Sequence, residues 1–189
     1  MKEKKIDIWL EESPNPSTLK FMVNKPLTEG DSFDFTDKEQ NPQVPLVHML
    51  FDTGYVKRIF IAPYFIAITK TNERAWQAIT GKLQNLILEQ LQTHEPILLT
   101  PKHKPSNAAR NSIETKIVKV LDEYVRPAVE RDGGAIRFRS FKDGIVHVAL
   151  QGACSGCPSA ALTLKAGIEN LLKSMIEDVK AVEAVEEET

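Results

Sequence analysis

The chain of 189 residues has only two cysteines, Cys154 and Cys157, separated by two residues in Gly152-Ala153-Cys154-Ser155-Gly156-Cys157-Pro158. An alternating apolar run, Ile145 to Leu150, precedes them and a long helical pattern follows, which places the pair at a strand-to-helix junction. Two thiols at this spacing can cycle as a disulfide, supply half of a zinc site, or supply half of an iron–sulfur cluster. The bland alternative is a pair of buried thiols in a loop.

A dithiol enzyme of the thioredoxin type needs a βαβ crossover before the motif. Here the preceding connection is Asp143-Gly144, a tight hairpin turn, so the flanking strands are expected to be antiparallel. A zinc site needs four ligands. His147 lies on the strand, and His48, His94 and His103 fall in the other half or the linker, so one chain does not easily close a site. Two chains related by a two-fold axis would bring four thiolates together, a shell that suits a [4Fe–4S] cluster and also zinc. Gly152 and Gly156 let backbone N–H groups approach sulfur, which favours the cluster. A helix starting at Pro158 is expected to lower the thiol pKa values through its dipole.

Composition excludes several classes. The chain is 42% hydrophobic and 26% charged with a net charge of -2, and its pI is near 6.1. That balance points to a globular protein with neither a nucleic-acid nor a membrane partner. No apolar run approaches the length of a bilayer span. The first residues, Met1-Lys2-Glu3-Lys4-Lys5-Ile6-Asp7, lack the apolar core of a secretory signal, and a cytoplasmic location is expected.

The elements that must position the cysteines follow from periodicity. Strands are expected at Ile6–Leu10 and Thr18–Val23, with Ser13-Pro14-Asn15-Pro16 as a rigid turn between them. A short strand fits 32–35 and a helix Pro45–Asp52, stopped by Gly54. Val56–Ile61 and Phe65–Thr69 form a hairpin across Ala62-Pro63-Tyr64. A helix opens at Thr71-Asn72-Glu73 and carries Trp76, Ile79, Leu83, Leu86, Ile87 and Leu91. Residues 93–112 hold Pro96, Pro101 and Pro105 and read as a linker between domains 1–92 and 113–189. The second domain reads α-β-β-α-β. Ile113, Ile117, Val120, Leu121, Tyr124 and Val125 mark a helix face interrupted at Arg126-Pro127. Asp132-Gly133-Gly134 is a turn, either a plain one or a support for the cysteine loop. Leu164, Ile168, Leu171, Leu172 and Met175 are expected to face inward on a helix reaching Glu177, and Val179–Val185 adds a strand. The fold class is thus α/β (α+β): two small domains, each a mostly antiparallel sheet with helices on one face. The four histidines are expected to be surface or satisfied groups, and Trp76 a core residue.

Residues 113–185 resemble the C-terminal domain of NifU, the Nfu-type iron–sulfur scaffold and carrier domain. The resemblance rests on Arg126-Pro127, Asp132-Gly133-Gly134, Gly144-x-Val146-x-Val148-x-Leu150-x-Gly152-Ala153-Cys154-x-Gly156-Cys157-Pro158-Ser159 and Thr163-Leu164-Lys165-x-Gly167-Ile168-Glu169. The first half is similar to the Nfu N-terminal domain through Asn15-Pro16-Ser17-Thr18-Leu19-Lys20-Phe21, Leu50-Phe51, Val56, Phe60, Phe65 and Trp76. Ala135, where the family often has a polar residue, and Gln151 depart from the pattern, and neither removes a ligand. The resemblance implies that Cys154 and Cys157 ligate a labile [4Fe–4S] cluster at a homodimer interface. The cluster would arrive from an upstream assembly donor and pass to apo-proteins, with no substrate turned over. The rival readings are a thiol–disulfide oxidoreductase on the same pair and a dimer bridged by zinc on four thiolates.

Overall fold

Alternating apolar residues in four of the first five strands build one face that cannot stay in water, and two helices cover it. The computed structural model describes residues 5–29, 31–38, 44–71, 73–93, 112–154 and 158–185, of residues 158–161 the backbone alone. The chain divides into two compact units, residues 1–102 and 103–189. Most of the expected linker lies outside the described residues.

The first unit is a five-stranded antiparallel sheet in the order β1-β2-β5-β4-β3. Its strands are β1 (Ile8–Glu12), β2 (Thr18–Val23), β3 (Phe33–Phe35), β4 (Val56–Ala62) and β5 (Phe65–Lys70). Helix α1 (Pro45–Phe51) precedes β4, and α2 (Trp76–Thr93) follows β5. Phe21, Ile61 and Ile66 share one row of the sheet and pack with Leu50 of α1 and Leu83 and Ile87 of α2. Burial of such side chains stabilises the unit by about 1.5–3 kcal/mol each. The expected opening of α2 at Thr71 is corrected to Trp76; the indole N–H of Trp76 donates to the Pro16 carbonyl at 3.0 Å, and its ring is half-buried against the core.

The Asn15 turn is structural. Asn15 is buried, its side-chain oxygen accepts the Ser17 N–H at 3.0 Å, and its carbonyl accepts the Thr18 N–H at 2.8 Å. This is the local bond that asparagine offers a turn. Opposite the helices, Lys20 lies in the row with Glu11, Ala67 and Phe60, and pairs with Glu11 at 2.9 Å. The same ammonium stands 5.6 Å from the Phe65 ring centroid, so a buried cation keeps both a counter-charge and a π face.

The second unit runs α3 (Ser112–Val120), a π-helical turn (Leu121–Val125), α4 (Arg126–Arg131), β6 (Gly134–Lys142), β7 (Ile145–Gly152), α5 (Pro158–Met175) and β8 (Ala181–Val185). The sheet order is β6-β7-β8, with β6 and β7 antiparallel and β8 parallel to β7. Asp143 and Gly144 both have positive φ, 53° and 85°, the signature of the two-residue hairpin turn that their sequence announces.

Two inward assignments are corrected here. Tyr124 is 50% exposed. Pro127 has no N–H to continue an α ladder, and the Arg126 N–H bonds instead to the Leu121 carbonyl five residues back. That wider turn rotates the later residues, so Val125 and Val129 face the core and Tyr124 does not. Met175 is 49% exposed, and Ile176 takes the inward place, its N–H bonded to the Leu172 carbonyl at 2.8 Å. Helix α5 accordingly ends at Met175, short of Glu177.

Candidate functional site: the cysteine loop

The loop leaves the sheet where β7 meets the start of β6. Gly134 and Gly152 are partners in the ladder, and Gly152 has a φ of 63°, turning the chain out of β7. The next N–H, that of Ala153, donates to the Gly133 carbonyl at 3.1 Å. Gly133 itself has a φ of 87°, which brings that carbonyl round to the loop at little steric cost. Asp132-Gly133-Gly134 is therefore a turn and also a direct support of the cysteine loop.

Cys154 sits on that support. It is only 8% exposed and belongs to the apolar core with Val125, Val129 and Ile136. A Cβ added to Gly134 would stand 2.7 Å from the Cys154 sulfur, so glycine is what admits the thiol. The sequence pointed to a lowered thiol pKa; the structure reverses this for Cys154. Burial, with the Asp132 carboxylate adding to it, pushes the thiol up from 9.0 to about 11. Burial takes the thiolate out of water, and that cost favours the neutral thiol. The core placement expected of a bland buried thiol is thus met by Cys154. Ser155, Gly156 and Cys157 lie outside the described residues.

Pro158 opens α5, as expected of a proline in a first turn. Beyond the loop, Glu169 on α5 accepts the Val182 N–H at 3.1 Å and ties the helix to β8. Among the described residues, no three His, Cys, Asp or Glu side chains gather as a metal cage. His147 is bonded to Ser140 at 3.2 Å and lies 3.7 Å from Glu183, a sheet contact away from the loop. His48 corrects the expectation for histidines, since its buried Nε2 has no hydrogen-bond partner among the described residues; His94 and His103 lie outside them. No described helix is long and apolar enough to cross a membrane. The sequence offered Asp132-Gly133-Gly134 as a turn or a support for the loop; what it did not carry is that Gly134 makes room for the Cys154 thiol, twenty positions on. The glycine that opens β6 and the glycine that ends β7 were the available signal.

Comparison with known proteins agrees with the two units. Residues 8–94 match the N-terminal domain of the scaffold protein Nfu/NifU, and residues 117–183 match the NifU-like domain. The human protein named NFU1 iron-sulfur cluster scaffold homolog, mitochondrial, is 35% identical over 94% of this chain and 71% of its own length. The Arabidopsis thaliana NifU-like protein 4, mitochondrial, is 34% identical over 93% of this chain, which spans 65% of that protein. A solution structure of a NifU-like protein from Saccharomyces cerevisiae is 23% identical, covers 53% of this chain and 91% of that one, and superposes with a TM-score of 0.48. With both domain matches falling in order along one chain, and relatives of this identity over nearly all of it, the chain belongs to the NifU-like family with an Nfu-type N-terminal domain.

Proposed function

We propose that the protein is an iron–sulfur cluster scaffold and carrier, not an enzyme. Two chains would hold one [4Fe–4S] cluster through Cys154 and Cys157 of each, and would pass it to apo-proteins. The observation that carries this reading is the cysteine loop itself. It stands at the junction of β7 and α5 within the matched NifU-like domain, braced by Asp132-Gly133-Gly134. The printed names of the human and plant relatives, an iron–sulfur cluster scaffold homolog and a NifU-like protein, support the same assignment.

The chemistry follows from the ligand count. Two thiolates per chain leave a four-iron cluster short by two, so the cluster is shared across an interface. A shared cluster can leave stepwise. Each recipient thiol loses its proton as it takes an iron, and the displaced carrier thiolate takes a proton back, with no change of oxidation state. The first unit would recognise donor or recipient, and the working location would be the cytoplasm, although both relatives are named as mitochondrial.

The test is anaerobic reconstitution with iron and sulfide. The reading expects four iron and four sulfide per dimer, a broad visible absorption, and a shift from monomer to dimer on sizing. Zinc without colour would favour the bridged zinc dimer. Reversible disulfide turnover without iron uptake would favour the oxidoreductase. Cell fractionation checks the compartment.

A further inference from the structure

The Cys154 thiol occupies a seat that a single missing carbon leaves open. An added Cβ at Gly134 would stand 2.7 Å from the Cys154 sulfur, 3.2 Å from the Cys154 Cβ and 2.6 Å from the Gln151 carbonyl oxygen. The Gln151 carbonyl belongs to the β6–β7 ladder and cannot swing aside as a surface side chain can. Any side chain at position 134 must therefore displace the loop or the strand. The Ala153 N–H bond to Gly133 holds the loop down at the same place. A metal must touch the sulfur that binds it, yet this sulfur is packed among apolar side chains.

We infer that Gly134 is a positioning residue that stows the Cys154 thiol in the metal-free chain, and that iron capture requires Ala153 and Cys154 to lift from Gly133 and Gly134. The lifting half rests on the carrier reading; the stowed half belongs to the chain without metal and stands apart from it. A stowed thiol meets oxidants and alkylating agents slowly, since reaction at a buried thiol waits on local opening. The seat thus guards a cluster ligand while no cluster is present.

The test uses the full-length, metal-free chain carrying Cys157→Ser, so that one thiol is read. Alkylation by iodoacetamide at a single pH is followed by mass spectrometry, in buffer and in urea. Cys154 is expected to react at least about tenfold more slowly in buffer than in urea, because opening must come first. Adding Gly134→Ala is expected to raise the rate in buffer at least about fivefold, as the thiol loses its seat, with far-UV circular dichroism unchanged. A folded Gly134→Ala chain with unaltered protection overturns the inference. If that variant fails to fold, the parent decides: equal rates in buffer and urea overturn it, and strong protection upholds the seat. Lifting is read separately in the chain with both cysteines. Hydrogen exchange at the Ala153 amide should quicken at least about tenfold on reconstitution with iron and sulfide. Iron uptake with the Ala153 amide still protected overturns the lifting. A protected thiol in a chain that takes up no iron overturns the carrier reading and leaves the seat standing.

Discussion

The two units solve one problem, covering an apolar sheet face with helices, and differ in what they place at a strand end. In the first, the hairpin joining β4 and β5 closes through Pro63-Tyr64, and the sheet is bonded throughout by antiparallel ladders. In the second, β7 ends at Gly152, its exit holds a cysteine, and the chain returns to the sheet only after α5, as the parallel strand β8. The first unit buries a cation, Lys20, and gives it Glu11. The second buries a thiol and leaves it protonated. The contrast teaches that burial of a polar group is settled by a partner in one unit and by loss of charge in the other.

The sharpest way to break that contrast is to change the thiols. Cys154→Ser or Cys157→Ser is expected to abolish stable iron and sulfide binding, because serine is a far weaker acid and a harder ligand. The fold should persist, since Ile117, Val148, Ile168 and Leu172 bury one another without metal. Iron, sulfide and circular dichroism of the three proteins decide the matter; equal iron in all of them ends the carrier reading.

The next largest effect belongs to the first unit. Phe21→Ala empties a fully buried position and should cost about 3–5 kcal/mol in denaturant unfolding. Iron bound per folded chain should stay the same. A fall in iron parallel to the fall in stability would mean the units do not act separately in cluster binding.

Alkaline titration separates the units more finely. The Cys154 pKa is raised in the folded state, so the unfolded thiol ionises first. Its stabilising contribution is whole below pH 9.0 and is lost as pH rises toward about 11. The loss is at most about 3 kcal/mol. Urea unfolding of the metal-free chain between pH 8 and 11 should show it, and Cys154→Ala should remove it. The smallest effect is expected at Lys38, whose pair with Asp52 at 2.9 Å lies on the surface of the first unit. Lys38→Ala should shift thermal unfolding by less than about 1 kcal/mol, and a larger change would reveal a role for that corner beyond the exposed pair.

Local rules made much of this fold readable. Gly54 after an apolar helix face, Asp143-Gly144 between alternating runs, and Pro158 behind the motif each act within a few residues, and each element falls where they place it. The misreadings need longer reach. Tyr124 turns outward because Pro127 forces a wide turn just before it, an effect that a steady 3.6-residue period does not carry. Met175 yields to Ile176, where two equally apolar neighbours compete for one inward place and only packing chooses. The spacing and flanking glycines single out the cysteine pair, whereas nothing local in the sequence announces the buried state of the Cys154 thiol. Its seat is made by Gly134, twenty positions earlier, and becomes visible only when β6 and β7 are paired.

The parallel return of β8 has a consequence in time. The β6–β7 hairpin closes across two residues and can form early, whereas β8 pairs with β7 only after the whole of α5 has been spanned. Local pairings form faster than distant ones, because the chain entropy of a long closure is lost before contacts repay it. The floor beneath the cysteine loop, Gly133 to Ala153, belongs to the early hairpin end, while the helix behind the loop is anchored by the late strand through Glu169 and Val182. The Cys154 side of the motif is therefore expected to take its place before the Pro158 side, and pulsed hydrogen exchange during refolding would show the Ala153 amide protected before the Val182 amide.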